Sequence, residues 1–239
     1  MALSGSGGAQ RRERVVRTAV GRRRAETRRL HRLLELERAQ WEAGRTLVAG
    51  VDEVGRGPLA GPVLAAAVVL PPGVAIRGID DSKKLTAERR AALYEVIRSE
   101  AVAVGVAGCS ARLVDRLDIL RASQLAMARA LERLGCTPEH VFVDGLPVPT
   151  LGYEHTAVVG GDAKVHCIAC ASVVAKVVRD RIMRLLATRY PAYGWDTNAG
   201  YATAAHRNAI IELGLTPHHR RSFGSNRQLA LELTWSAGA

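Results

Sequence analysis

Apolar residues fall in short runs and at helical spacings that divide the chain into an arginine-rich start and a body of alternating elements. Met1 to Gln10 is rich in Gly, Ser and Ala, has no apolar periodicity, and predicts a disordered leader. Arg11 to Gly44 permits a helix whose apolar cluster is Leu30, Leu33, Leu34 and Leu36. Such a helix either docks on the body or forms on a nucleic acid. The division is an arm of residues 1–44 and a domain of residues 45–239 that opens near Thr46. Leu47 to Val51, Leu64 to Leu70 and Ala101 to Ala107 carry β-branched and small residues between turn signals and predict three strands. Val141 to Val143 predicts a fourth, and Thr156 to Val159 a fifth. Helices are predicted over Thr86 to Ser99, Ser123 to Leu134, Ile168 to Tyr190 (stopped by Pro191), and Thr203 to Leu213 (ended by Gly214). Three strands in succession, then alternating helices and strands, predict an α/β fold: a mixed five-stranded sheet flanked by helices, with a helical C-terminal part.

Composition sharpens this. With 239 residues, 48% of them hydrophobic and 24% charged, the chain can bury one substantial core. No apolar run approaches the roughly 20 residues of a membrane span, so no membrane is expected and the cytoplasm is the expected compartment. The arginine-rich start imitates a mitochondrial transit peptide, but the rest of the chain reads as bacterial in type. Net charge is +11 and pI about 10.2, which points to a polyanionic partner, with nucleic acid first. Ten arginines lie between Arg11 and Arg32, however, so net charge does not place nucleic acid on the body.

Four cysteines are too few and too uneven for a disulfide scaffold. Cys167 and Cys170 form a C-x-x-C, but no second ligand pair accompanies them, and their small neighbours suit a close helix contact better than zinc. Adjacent His218 and His219 seldom share one metal and suit a surface or phosphate contact.

Three apolar runs end in acid: Asp52 with Glu53, Asp144, and Asp162 after Gly160-Gly161. Strand ends of this kind fall where α/β folds place their sites. Gathered carboxylates repel one another and imply raised pKa values or bound cations, and all-oxygen ligands favour Mg²⁺ or Mn²⁺ over zinc. Because neighbours on a strand face opposite ways, Asp52 and Glu53 share a site only if the strand bends or ends there, which Gly55 and Gly57 permit.

Arginine is the usual cation here, and the four lysines are Lys83, Lys84, Lys164 and Lys176. Their places beside Asp81-Ser82, Asp162 and Asp180 suit a compact charge on phosphate. The glycines after Asp52 are no P-loop, since no G-K-[ST] follows.

The ordered set Val48 to Val63, Asp81 to Leu85 (D-S-K-K-L), Val143 to Gly145, Gly161 to Lys164, Ala171 to Asp180, Gly200 to Thr203 (G-Y-A-T) and His219 to Phe223 closely resembles ribonuclease HII. The resemblance implies a ribonuclease H-like fold and a catalytic and metal-binding set of Asp52, Glu53, Asp144 and Asp162 that holds two Mn²⁺ or Mg²⁺ ions during catalysis. It implies that Gly55, Arg56 and Gly57 grip the ribonucleotide at its 2′-hydroxyl and that Tyr201 stacks on the sugar at the RNA–DNA junction. Ser82, Lys83, Lys164 and Lys176 are the further substrate contacts expected. Arg56 in place of lysine and the short arm favour type 2 over the related type 3 enzyme. The implied activity is hydrolysis of the RNA strand of RNA–DNA hybrids and incision 5′ of ribonucleotides embedded in DNA, by a monomer, leaving 3′-hydroxyl and 5′-phosphate ends. Two departures stand out: Asp118 where many relatives carry Asn, and the arginine-rich arm. The rival readings are another nuclease or integrase of the same fold and a non-catalytic RNA-binding protein.

Overall fold

The computed structural model describes residues 20–21, 23–224 and 226. The leader predicted over Met1 to Gln10 lies outside the described residues. In chain order the elements are a helix over residues 23–33 (α1), then α2 (Glu35–Glu42), β1 (Val48–Val54), β2 (Val63–Val69), α3 (Ala87–Glu100), β3 (Ala103–Cys109), α4 (Ala111–Leu117), α5 (Ile119–Glu132), β4 (His140–Asp144), β5 (His155–Val158), α6 (His166–Arg189), α7 (Trp195–Asn198) and α8 (Ala204–Leu213).

The predicted sheet forms, with strand order β3-β2-β1-β4-β5. β1, β2 and β3 pair antiparallel, while β4 runs parallel to β1 and β5 parallel to β4. β2 is buried at all of its seven positions, because helices cover both faces and leave no side for polar residues. Ala49, Val51, Val141 and Val143 face α5, packing with Ala126, Met127 and Leu131. On the other face, Ala66 and Val68 meet Ala169, Val173 and Val174 of α6 and Leu93 and Ile97 of α3. Even-numbered β1 residues therefore lie toward α6. At Gly50 a Cβ would collide with the Cys167 backbone, so α6 lies directly on β1 there.

Sequence reading missed two helices and shortened two others. α4 is capped by Ser110, whose hydroxyl accepts the Leu113 N–H at 3.3 Å, and α5 starts at Ile119 rather than Ser123. The break between them is Asp118, at φ 72°, whose carboxylate accepts the Arg121 N–H at 2.9 Å. Asp and Asn are the non-glycine residues that best combine positive φ with an N-cap, which accounts for either at this position. α6 begins two residues early, and α7 is a single turn around buried Trp195.

Residues 23–42 pack against the body. Leu30 and Leu33 join the α3–α6 cluster, and Leu34 is buried, whereas Leu36, expected in the same cluster, is 39% exposed. Cys167 and Cys170 are free and buried, and burial pushes both thiols well up. They are core residues at the close β1–α6 contact. His219 is also buried rather than at the surface, correcting that expectation: its Nδ1 accepts the Thr216 N–H at 2.9 Å. Among the described residues no helix is long and apolar enough to cross a membrane.

Burial of Glu37 against the start of α6 raises its carboxyl to about 7. Burial lowers His166 and His219 to about 4. The raised carboxyl contributes stability that is present below its ordinary value and lost as pH rises through the folded one; the lowered histidines contribute stability present above their ordinary value and lost as pH falls through about 4. In metal-free buffer the melting temperature of the parent relative to that of Glu37→Gln should fall as pH rises from about 4.5 to about 7 and level off above, the histidines being common to both. Identical slopes in parent and variant would contradict this.

Candidate active site

β1 and β4 end side by side, which brings their terminal acids together. Val51 pairs with Val143, so Asp52 and Asp144 follow on adjacent parallel strands. Asp162 arrives from the short 3-10 turn Gly161–Ala163 that leads into α6, and that turn is held to β4 by the Gly161 N–H, which donates to Asp144 Oδ1 at 2.6 Å. Asp52 is 6% exposed, and its Oδ1 accepts the Glu53 N–H at 2.7 Å.

β1 stays regular past both acids, with Asp52 opposite Ala66, Glu53 opposite Ala65 and Val54 opposite Leu64. The bend expected to turn Asp52 and Glu53 to one side comes only at Gly55, at φ 87°. Alternation therefore puts Asp52 toward α6 and Glu53 toward the opposite face, at the strand's end. Glu53 pairs with Arg56 at 3.2 Å.

These acids are electrostatically strained. Burial, then the charges of Glu53 and Asp144, raise Asp52 well above the ordinary carboxyl value, against a hydrogen bond from Ser172. Glu53 is raised by burial, with Arg56 opposing and Asp144 adding to it. Burial, Asp81 and Asp144 raise Asp162, against the nearby Lys83. Lys83 is lowered by burial but raised on balance by Asp162, Asp81, Asp52 and Asp144, so it joins Arg56 as a cation facing these acids. Oxygen-only donors under mutual repulsion fit a hard divalent cation in chemistry. Among the described residues no three His, Cys, Asp or Glu side chains stand close enough to hold an ion without movement, in keeping with Glu53 on the far face.

The other expected contacts separate into groups. Gly57 and Tyr201 adjoin: a Cβ on Gly57 would lie 3.8 Å from the Tyr201 ring, which is 47% exposed. Ser82 is buried, its hydroxyl 2.9 Å from that of Ser172, which places it beneath Asp52 rather than at the surface. Lys164 is exposed, its amine on the Val159 carbonyl at 2.7 Å. Lys176 binds Asp180 at 2.7 Å and lines a cleft of about 750 Å³ with Arg90, Arg184 and Thr197.

Two fully buried arginines that sequence reading left without a role hold the glycine loop. Arg179 donates to the carbonyls of Pro62 (3.1 Å), Ala199 (3.0 Å) and Ala60 (3.3 Å). Arg220 donates to those of Arg56 (2.8 Å), Gly55 and Gly61. The Leu59 N–H donates to Gly200 O at 2.8 Å, so the Gly55–Gly57 loop and the Tyr201 loop form one tied unit. Behind Tyr201, the Trp195 N–H donates to His206 Nε2 at 3.0 Å, which leaves His206 Nδ1–H to donate to Tyr201 O at 2.8 Å. The signal available for Arg179 and Ser172 was polarity on the packed face of an apolar helix; for Arg220 nothing local gave one.

The profile of the family described as ribonuclease HII matches residues 49–226, a span that takes in every residue above. The chain belongs to the ribonuclease HII family. It is 54% identical over 198 residues to ribonuclease HII of Granulibacter bethesdensis, covering 81% of this chain and 90% of that one. It is 56% identical over 190 residues to that of Paracoccus denitrificans, covering 79% and 90%. The crystal structure of ribonuclease H2 from Pyrococcus horikoshii superposes with a TM-score of 0.68 at 26% identity, over 78% of this chain and 98% of that one. The fold is accordingly ribonuclease H-like, and the activity is that of a ribonuclease H endonuclease acting on nucleic acid.

Arg179 makes three carbonyl contacts that a lysine ammonium cannot reproduce in one geometry. Arg179→Lys should lose about 2 kcal/mol or more of unfolding free energy in urea. A loss under about 0.5 kcal/mol, the usual surface value, would contradict its anchoring role.

Proposed function

We propose that the chain hydrolyses the RNA strand of RNA–DNA hybrids and incises DNA on the 5′ side of embedded ribonucleotides, using Asp52, Glu53, Asp144 and Asp162 to hold two Mg²⁺ or Mn²⁺ ions. The observation that carries this reading is Asp52, buried at the sheet edge with its carboxyl raised by burial, Glu53 and Asp144. A bound pair of divalent ions would supply an activated water and stabilise charge on the phosphorane and the leaving 3′-oxygen. Asp52, Asp144 and Asp162 would hold these ions, with Glu53 joining them by movement from the opposite face at the end of β1.

The chain's own groups choose and orient the substrate. Main-chain groups of Gly55, Arg56 and Gly57 read the 2′-hydroxyl, which glycine allows by close approach and which only a ribonucleotide offers. Tyr201 offers its exposed ring to the next sugar, where a second 2′-hydroxyl would crowd a face that deoxyribose fits. Lys83 and Lys164 meet phosphate beside the carboxylates, with Lys176 further along α6. Ser82 acts through Ser172, which holds Asp52. Because water attacks in place of the 2′-hydroxyl, the products are 3′-hydroxyl and 5′-phosphate ends. Residues 45–239 form the catalytic domain, and residues 1–44 extend it, with the exposed Arg23, Arg24, Arg28 and Arg32 adding phosphate contacts. The chain works as a cytoplasmic monomer.

On a DNA duplex with one ribonucleotide, cleavage should require Mg²⁺ or Mn²⁺, and an all-DNA duplex should stay intact. Asp144→Asn should bind the duplex yet fail to cut; substantial cutting by a folded Asp144→Asn protein would remove it from the site. Tyr201→Ala should lose about tenfold in cleavage of that duplex, the worth of one stacking contact, and Tyr201→Phe much less. Parent-like cutting by Tyr201→Ala would exclude the ring from the site. Changing Arg23, Arg24, Arg28 and Arg32 to Gln should flatten the log–log salt dependence of binding by roughly 0.9 per lost phosphate contact. An unchanged slope would leave the arm no part in binding.

A further inference from the structure

Residues 23–42 dock mainly through apolar contacts, but one of their polar side chains reaches the frame that carries the carboxylates. Glu37, in α2, is 2% exposed. Its Oε2 accepts the His166 N–H at 3.1 Å, and the carboxylate also faces the N–H and thiol of Cys167. His166 opens α6, where Val165 offers no side-chain cap and the first turn has no acid of its own. A helix start leaves N–H groups without partners and gathers positive partial charge, so its cap here comes from a distant segment of the chain.

That first turn is joined to the candidate site on both sides. Upstream, the N–H groups of Val165 and Lys164 donate to Gly161 O at 2.7 and 2.9 Å, while Gly161 donates to Asp144 and is followed by Asp162. On its other flank the Cys167 backbone lies against Gly50, two residues before Asp52. Further along α6, Ser172 reaches Asp52. Any shift of the start of α6 moves Asp162 and Ser172 relative to Asp52 and Asp144. Glu26 makes a parallel tie, accepting the Gly78 N–H at 2.8 Å just ahead of the loop that carries Ser82 and Lys83.

We propose that Glu37 is a positioning residue for the nuclease reaction: from the N-terminal segment it pins the first turn of α6 and so sets Asp162 and Ser172 against Asp52 and Asp144. This rests on the reading of those carboxylates as the metal site. It makes this one side chain, and not the docking of the segment as a whole, part of what sets metal affinity and turnover.

The test uses the full chain and four variants: Glu37→Met, which keeps the bulk without an acceptor, Glu37→Gln, which keeps an acceptor for the His166 N–H, Leu33→Ala, which loosens the docked segment elsewhere, and Asp144→Asn. The readouts are the Mn²⁺ concentration at half of the Mn²⁺-induced rise in melting temperature, and kcat and KM on a duplex with one ribonucleotide. Glu37→Met should raise the Mn²⁺ half-point and lower kcat by about tenfold, the usual effect of losing a group that orients metal ligands, with KM within about twofold. Glu37→Gln should restore both, and Leu33→Ala should lower the melting temperature in Mn²⁺-free buffer while keeping the parent's half-point. Glu37→Ala gives the same comparison should Glu37→Met not fold. Parent-like half-point and kcat in the Met or Ala variant, or the same losses in Leu33→Ala, would overturn the proposal. A full Mn²⁺ response in Asp144→Asn would overturn the metal site itself, and the inference with it.

Discussion

The close approach of α6 to β1 is the constraint from which the rest of the structure follows. Only a residue without a side chain fits at Gly50, because the backbone of Cys167 occupies the space that a Cβ would take. With that contact set, Ser172 falls beside Asp52, and the turn ahead of α6 delivers Asp162 to the end of β4. The small residues Ala169, Cys170 and Ala171 continue the same close packing. A larger side chain at Gly50 would lift the helix and with it Ser172 and Asp162.

Two kinds of charge are buried around this frame, and they are treated differently. Among the described residues Arg179 and Arg220 have no carboxylate partner in hydrogen-bonding contact; their guanidinium groups are satisfied by backbone carbonyls of the glycine loop, its flanks and Ala199. Those bonds hold the loop and the Tyr201 segment rigid. The acids at the sheet edge have the opposite character, since burial and like charge raise Asp52 and Asp162 with only partial relief from Ser172 and Lys83. A loop held through its backbone carbonyls thus lies beside strained acids, which are where a cation would gain most by binding.

The sheet was legible because each strand is a short apolar run between turn signals, and the acids at Asp52, Asp144 and Asp162 were legible because each closes such a run or follows it. The helix at Ala111–Leu117 was not, because it is only seven residues long and its identity rests on the Ser110 cap and the positive φ of Asp118. The place of Ser82 beneath Asp52 depends on Ser172, 90 residues away, which no local pattern reveals. The bend read into Gly55 was real but came one residue beyond Val54, too late to bring Glu53 onto the face of Asp52. Ribonuclease HII motifs supplied the order of the pieces, and packing supplied which of them come together at the end of β1.

Burial and mutual repulsion raise the carboxyls of Asp52, Glu53 and Asp162, so these acids give up their protons less readily until a divalent cation offsets the repulsion. Isothermal titration of the folded chain with Mn²⁺ near neutral pH, repeated in buffers of different ionisation enthalpy, measures that directly. The account expects ion binding accompanied by proton release, with the release fading as the pH is raised and the acids ionise unaided. Binding with no proton release at any pH, or no binding at all, would contradict it.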